Sequence, residues 1–264
     1  VSAGEVKPAE PPVLNQEQQT AFLHLDALAR AEKPAVALLY GVTGSGKTQV
    51  YISLIRAALD RGESAMVLVP EIALTPQLLR IFSAHFGENI AVLHSSLRAG
   101  ERYDEWKRVR SGRARVVLGT RSAVFAPLKD LGLIILDEEQ EASYKSENTP
   151  RYHARDVAKY RCARNGGLLV LGSATPSIET MYLAKSGVYH MVTLSRRYNE
   201  HALPHVFVTD MKEALRSGNG TSISARLHRE LASNLERGEQ SILFLNRRGA
   251  SRMVSCGELS LIHI

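Results

Sequence analysis

The segment Gly41–Thr48 combines three glycines, a lysine and a hydroxyl group in a spacing that suits phosphate chemistry. It fits the pattern G-x-x-x-x-G-K-[ST] and lies between an apolar run and a helical pattern. Glycines let the backbone curl so that its N–H groups and the following helix N-terminus face phosphates. The lysine brings a mobile charge to the β- and γ-phosphates, and the threonine offers a hydroxyl to Mg²⁺. We therefore predict an ATP·Mg²⁺ site formed by Gly41, Val42, Thr43, Gly44, Ser45, Gly46, Lys47 and Thr48.

A second group of polar residues, 137–140, follows the apolar run Leu-Ile-Ile-Leu at 133–136. A buried strand of this kind carries the acidic residues to its carboxyl end, where ligands bind in open α/β sheets. Asp137 is then placed to hold Mg²⁺, and Glu138 to orient or deprotonate an attacking water. A solvated acidic turn is the alternative for this segment taken alone, and the phosphate-binding loop favours the catalytic interpretation.

Six short apolar runs alternate with helical patterns between residues 13 and 203. Continuous apolarity over strand length is typical of parallel strands covered on both faces, and the alternation predicts a doubly wound α/β sheet. The predicted strands are 35–42, 65–70, 90–95, 115–120, 131–139 and 167–175. The predicted helices are 47–61, 75–86, 101–111 and 154–165, each followed by a glycine within two residues.

Two further regions flank this domain. Residues 1–12 contain three prolines without apolar periodicity, which indicates a linker. Beyond residue 204 we expect a strand at 205–210, an amphipathic helix at 224–238 and a strand at 241–246. These would form a βαβ unit of an incomplete second domain, 204–258.

The composition of the 264 residues is that of an ordinary globular protein, with 44% apolar and 23% charged residues. The formal charge of +6 favours a polyanionic partner but does not by itself establish one. No run is long enough to span a membrane and the N-terminus lacks a secretory pattern, so we expect a cytoplasmic protein. The two cysteines are far apart and predict neither a disulfide framework nor a metal site.

Six phrases, in order along the chain, resemble motifs I, Ia, Ib, II, III and IV of superfamily-two helicases: GVTGSGKT, VPEIALTPQ, GTRSAVFAP, LDEEQ, GSATPS and FLNRRG. The fuller wording, including SYKSENTPRYHARD at 143–156, is similar to a family of bacterial replication-restart DNA helicases. The resemblance implies a RecA-like ATPase domain at 13–203 and the start of a second RecA-like lobe. It also implies ATP-driven 3′-to-5′ unwinding at stalled forks during primosome assembly. DNA forks, single-stranded DNA, primosome proteins and single-strand-binding proteins would be partners, on the bacterial nucleoid.

The resemblance also assigns roles to individual residues. Gln18 resembles an adenine reader, although a helix N-cap at Asn15 followed by polar surface explains the same residues equally well. Arg121 and Ser122 resemble DNA-backbone contacts. Gln140 stands where most relatives have His and would act as a hydrogen-bonding sensor. Two further segments match by position: Ser173–Ala174–Thr175, which would couple hydrolysis to domain movement, and Arg247–Arg248, which would begin motif IV.

An aromatic and basic segment after residue 140 resembles the family's single-stranded DNA contact. Tyr144 and Tyr152 would stack bases while Lys145 and Arg151 contact phosphates. Pro150 stands where some relatives have a stacking Trp. The alternative is that both tyrosines pack against a helix.

The last residues depart from the family pattern. Cys256 fits the first ligand of the family's zinc-binding insertion, but Leu259 replaces the second, so we expect no zinc; residues 259–264 have no family likeness. The family's remaining second-lobe motifs, with their arginine finger, do not occur in the sequence either, so we expect a truncated motor that binds ATP but hydrolyses it weakly or not at all. The alternative is a non-catalytic ATP- and DNA-binding fragment. A small-molecule kinase or a G protein would share the phosphate-binding loop, but the Asn-Lys-x-Asp motif of G proteins is absent from the sequence.

Overall fold

The chain forms two compact units, Val1–Ala202 and Leu203–Ile264. The structure is a computed structural model that describes residues 8–31, 33–196, 205–212, 223–244, 254–255 and 262–263. Residues 1–7 of the predicted linker, Arg247 and Arg248 of the predicted motif IV, and Cys256 and Leu259 all lie outside the described residues.

A parallel sheet forms the centre of the first unit. Seven of the described strands build it, in the order β3-β4-β2-β5-β6-β1-β7, and every pair is parallel. The strands are β1 Ala35–Gly41, β2 Ser64–Leu68, β3 Ile90–Leu93, β4 Val116–Gly119, β5 Leu131–Asp137, β6 Leu168–Ser173 and β7 His190–Leu194. The predicted α/β fold class is confirmed, and β7 adds an edge strand that the apolar runs do not indicate.

Helices cover both faces of the sheet. They are α1 Gln16–Arg30, α2 Lys47–Asp60, α3 Pro76–Phe86, α4 Ala99–Arg110, α5 Ala154–Asn165 and α6 Ile178–Lys185. Because side chains alternate along a strand, Ala37 and Leu39 pack with α1, α2 and α3, whereas Leu38 joins a separate core with α4, α5 and α6. Two layers of helix therefore bury a continuously apolar sheet, as doubly wound folds require.

Local signals fix the helix ends close to their predicted positions. Thr75 caps α3, with its hydroxyl accepting from the Leu78 N–H, and Pro76 occupies the first turn. Gly166 ends α5 with φ of 68°, a conformation that residues with a Cβ rarely adopt. Among the described residues, no helix combines the length and apolarity that a membrane crossing needs.

The second unit contains helix α7, Ala225–Glu236, within the predicted range. It also contains a two-residue antiparallel pairing of β8 Val254–Ser255 with β9 Ile262–His263. The strand predicted at 205–210 was wrong, because this segment is described without strand pairing. Of the strand predicted at 241–246, residues 241–244 are described, also without strand pairing, and residues 245–246 lie outside the described residues. The apolar side chains of 205–210 and 241–244 are exposed, with Val208 at 93% and Ile242 at 96%, so no neighbouring strand or helix buries them. The second RecA-like lobe stays a prediction.

Candidate nucleotide-binding site

The loop between β1 and α2 bends sharply around its glycines. Gly44 and Gly46 both have φ of 80°, and the Ser45 N–H donates to the Val42 carbonyl at 3.0 Å. A Cβ on Gly46 would collide with the Gln18 amide, and one on Gly41 would lie 2.6 Å from the Ser45 hydroxyl. The loop therefore needs glycine for conformation at Gly44 and for space at Gly41. The loop leads directly into α2, and the N-terminus of a helix attracts anions.

Lys47 is the first residue of α2 and folds back over the loop. Its Nζ donates to the Gly41 carbonyl at 2.9 Å. An ammonium group has three hydrogens, so two remain for phosphate oxygens while the side chain is held across the loop. Thr48 follows it and is half-buried.

Gln18 attaches α1 to this loop. Asn15 and Gln18 form a reciprocal capping box at the start of α1, and the Gln18 Nε2 donates to the Ser45 carbonyl at 2.9 Å. Gln18 has no exposed surface. The predicted N-cap at Asn15 is thus confirmed. The same alternative placed Gln18 on a polar surface, but Gln18 is buried. The role of Gln18 as an adenine reader stays a prediction, and in this structure its amide faces the loop backbone.

Asp137 ends β5 and lies against a buried tyrosine, Tyr51, that belongs to no sequence motif. The Tyr51 hydroxyl donates to Asp137 Oδ1 at 2.8 Å. Burial raises the pKa of Asp137, assisted by the neighbouring charge of Glu138 and opposed by the Tyr51 hydrogen bond and the charge of Lys47. A carboxylate that pays this desolvation cost gains most from a nearby cation, which suits a Mg²⁺ ligand.

The two predicted halves of the site line a cavity of about 460 Å³. Its walls are residues 43–49, Asp137 and Glu138, together with Leu78 and Ile81 of α3. The volume is in the usual range for small-molecule sites, about 300–1,000 Å³. The loop N–H groups and Lys47 can bind the phosphates of a nucleoside triphosphate, and Thr48 with Asp137 can bind its Mg²⁺. The residues present therefore fit this ligand.

A hydrogen-bonded series runs from the acidic turn to the end of β6. Glu138 has φ of 47°, and its Oε2 accepts from Gln140 Nε2 at 3.0 Å. Gln140 Oε1 accepts in turn from the Ser173 hydroxyl at 2.6 Å, and Ser173 Oγ accepts from the Thr175 N–H at 2.9 Å. Glu138 is thereby connected to the segment 173–175, and Gln140 is the link.

Glu139 holds the same turn through buried contacts, and the sequence did not predict a role for it. Its side chain has no exposed surface, and Arg155 Nη1 lies 3.4 Å from Oε2. Oε1 accepts from the Ser177 N–H at 2.7 Å and Oε2 from the Thr180 hydroxyl at 3.0 Å. The carboxylate joins the acidic turn to the start of α6. Four adjacent polar residues, 137–140, gave no sequence signal to separate this buried member from the others.

Tyr144 is buried, contrary to the prediction that it stacks DNA bases. Its side chain has no exposed surface. Its hydroxyl lies 2.9 Å from the Leu68 carbonyl and 2.6 Å from the Asp137 carbonyl, and its hydrogen can be donated to either. Burial and the nearby carboxylates raise its pKa far above the ordinary value. For Tyr144 the alternative, in which the ring packs inside the protein, is correct, because the ring belongs to the buried core next to the acidic turn.

The remaining candidate DNA contacts lie around the segment after Tyr144. Arg121 Nη1 donates to the carbonyls of Ser143 and Lys145, at 3.1 and 2.7 Å, and so holds this segment. Ser122, Lys145 and Arg151 are exposed. Tyr152 is half-buried, with its ring edge-on to Phe125 at 4.9 Å between centroids. Two exposed cations and a hydroxyl are thus available to a polyanion, whereas Tyr152 offers only part of its ring.

Comparison with known proteins agrees with this geometry. The family model described as DEAD/DEAH box helicase matches residues 16–183. The replication restart protein PriA of Bacillus subtilis is 45% identical over 97% of this chain and 32% of its own length. PriA of Treponema pallidum is 46% identical over 97% of this chain and 38% of its own. The chain spans about a third of the length of these relatives.

A solved structure of RecG bound to a three-way DNA junction has a TM-score of 0.54 and 22% identity, over 87% of this chain and 29% of that one. At this identity the likeness concerns the fold. The PriA relatives confirm the resemblance to replication-restart helicases. The family match covers most of the chain, including both the loop at Gly41–Thr48 and the acidic turn at Asp137, and the chain belongs to the DEAD/DEAH box helicase family.

Proposed function

We propose that this chain is the ATP-binding motor domain of a 3′-to-5′ DNA helicase that acts in replication restart. The observation that carries the proposal is the cavity shared by residues 43–49 with Asp137 and Glu138. Helicases couple strand separation to the hydrolysis of a nucleoside triphosphate, and this cavity has the donors for one. Further support comes from relatives named replication restart protein PriA, at 45% and 46% identity.

Each residue of the cavity has a proposed role. Lys47 and the loop N–H groups hold the phosphates, while Thr48 and Asp137 hold Mg²⁺. The bound metal ion would neutralise charge on the phosphate oxygens. Glu138 takes a proton from the water that attacks the γ-phosphate, and ADP and phosphate leave. Gln140 relays the position of Glu138 to the segment 173–175 through the hydrogen bonds described above.

DNA is the proposed track of the motor. Arg121 and Ser122 follow β4, and Lys145 and Arg151 follow β5, so all four come after the carboxyl ends of two strands that flank β2 in the sheet. Exposed cations near one edge suit a phosphate backbone. Forked and single-stranded DNA, primosome proteins and single-strand-binding proteins are the proposed partners, and the bacterial nucleoid is the proposed location.

A strand-separation assay tests this function. Duplexes with a single-stranded 3′ or 5′ tail are given with ATP and Mg²⁺ to the protein that carries this chain, and the Lys47→Ala variant is the control. We expect unwinding and phosphate release only from the duplex that has a single-stranded 3′ tail, and neither from the variant. DNA binding with ATP binding but without phosphate release would identify the non-catalytic alternative. Unwinding from the 5′ tail would overturn the direction.

A further inference from the structure

Helix α4 has an outward face in which cations lie over aromatic rings. Tyr103, Trp106, Lys107 and Arg110, spaced i, i+3, i+4 and i+7, share one side of the helix and are called the α4 stripe below. Lys107 Nζ lies 4.6 Å from the centroid of the Tyr103 ring. The Arg110 guanidinium carbon lies 5.1 Å from the Trp106 ring. The face therefore alternates stacking surface with positive charge.

The cations of the α4 stripe are exposed and contribute little to the fold. Arg108, between them, is used structurally: it bonds to Glu105 and to the carbonyls of Glu88 and Ile90. Arg110 makes no ion pair within the described part of the chain, and Lys107 pairs with Asp104 at 2.9 Å. Both partners of that pair are largely exposed, so a phosphate can replace the carboxylate at little cost.

The surroundings of the stripe are also positive. Residues 98–113 contain six basic and three acidic residues, an excess equal to half of the chain's formal charge of +6. Tyr103 is 60% exposed. An exposed aromatic ring within a basic surface is the composition that single-stranded nucleic acid sites use, because bases stack on rings while phosphates contact cations.

Helix α4 is fixed to the edge of the sheet that carries the nucleotide site. Arg102 Nη2 donates to the carbonyls of His94 and Ser95, just after β3. The Ser95 hydroxyl donates to Glu71 Oε1 at 2.8 Å, and Glu71 follows β2. The first turn of α4 is thus tied to loops at the carboxyl ends of two strands. A DNA strand that crosses this edge can continue along the α4 stripe.

We propose that the α4 stripe is a further contact for single-stranded DNA, separate from Arg121, Ser122, Lys145 and Arg151. Lys107 and Arg110 contact consecutive phosphates, and Tyr103 stacks one base. The proposal rests on the proposed DNA binding of this chain. Single-stranded DNA is favoured over an acidic protein partner because the stripe offers the exposed Tyr103 ring as well as positive charge.

Trp106 provides the test, because it is the only tryptophan in the chain. An oligodeoxythymidylate titrated into this 264-residue chain should quench the fluorescence of Trp106. The double variant Lys107→Gln, Arg110→Gln should lose two phosphate contacts. The slope of log affinity against log salt, measured by anisotropy of a labelled oligonucleotide, should therefore fall in magnitude by about 1.4, or 0.7 per contact. The variant Tyr103→Ala should weaken binding without changing the slope.

The matched control is Arg164→Gln with Lys185→Gln. Arg164 lies 6.0 Å from the ring of the exposed Tyr160 on α5, and Lys185 is exposed at the end of α6. This double variant should keep the affinity and the slope of the unaltered protein. Equal affinity and slope in the α4 variant would overturn the α4 proposal while leaving DNA binding elsewhere intact. Equal quenching by polyglutamate would overturn the choice of nucleic acid. No DNA binding by the unaltered protein would overturn both this proposal and the DNA part of the proposed function.

Discussion

The Tyr51 hydroxyl donates a 2.8 Å hydrogen bond to Oδ1 of Asp137 and so joins the helix of the phosphate-binding loop to the acidic turn. Tyr51 is 1% exposed. A Cβ on Gly172 of the neighbouring strand would collide with the same hydroxyl, so Gly172 provides the space for it. The two halves of the candidate nucleotide site are thus coupled through one buried tyrosine.

Tyr51→Phe removes this hydrogen bond and leaves the ring in place. A hydrogen bond to a charged group contributes about 1.5–3 kcal/mol, so we expect a loss of that size in the free energy of unfolding at pH 7.5, measured with denaturant. Tyr40→Phe is the control, since the Tyr40 hydroxyl has no hydrogen-bond partner among the described residues. Equal stability of Tyr51→Phe and the unaltered chain would show that the bond contributes nothing in solution.

Asp137→Asn should stabilise the nucleotide-free chain near neutral pH while abolishing Mg²⁺-dependent nucleotide binding. Burial raises the pKa of Asp137 above its ordinary 3.8. Its contribution to stability is therefore fully present below 3.8 and is lost as the pH rises through the folded-state pKa. Asparagine does not ionise and escapes this loss. Thermal melting should show a higher Tm for the variant at pH 7.5, with the difference shrinking toward pH 4. A difference independent of pH would contradict the raised pKa.

Glu138→Gln should separate binding from hydrolysis. The amide cannot accept a proton from water, so DNA-stimulated phosphate release should fall by about 10²–10⁴. The affinity for ATP·Mg²⁺ should stay within about twofold, because Lys47, Thr48 and Asp137 are unchanged. Glu141→Gln, three residues further along the chain, should behave like the unaltered protein. If Glu138→Gln kept its turnover, the base would be another group.

Tyr144→Ala should act on stability first. A buried aromatic ring replaced by alanine costs about 3–5 kcal/mol, and denaturant unfolding measures the loss. Tyr160→Ala is the control, because Tyr160 is 62% exposed and should change stability by less than about 0.5 kcal/mol. A stable Tyr144→Ala protein that specifically loses DNA affinity would restore the stacking role.

The sequence predicted the central strands because burial on both faces leaves a continuous apolar signal, as in β5 and β6. In the edge strand β7 only Val192 and Leu194 are buried, so a continuous apolar signal was absent. The opposite error occurred at 205–210. There an apolar and β-branched run predicted a strand, but strand formation also depends on a pairing partner that local sequence does not reveal.

The residues of the candidate site also include some that the sequence indicated and some that it did not. The sequence indicated that Gly41–Thr48 and Asp137 lie at one site, because each follows an apolar run of strand length, and the structure places both on one cavity. Their roles in nucleotide binding stay predictions. Tyr51, Glu139 and Tyr144 were not predictable, because their roles come from burial and from partners distant in the chain; Tyr51 and Asp137 are 86 residues apart. The resemblance gave Gln18 a role in reading adenine, which stays a prediction, and no sequence pattern indicated that its amide would bond to the Ser45 carbonyl.

A calorimetric titration of ATP·Mg²⁺ into this chain and its Lys47→Ala variant tests the central claim, that the cavity at Gly41–Thr48 and Asp137 binds nucleotide. Lys47 should make charge-assisted hydrogen bonds to two phosphates, each contributing about 1.5–3 kcal/mol. Their loss corresponds to an affinity lower by about 100-fold or more. Lys33→Ala, an exposed lysine before β1, is the matched control. We predict saturable binding by the unaltered chain and the control, and no measurable binding by Lys47→Ala. Equal affinity in all three proteins, or no binding by the unaltered chain, would contradict the claim.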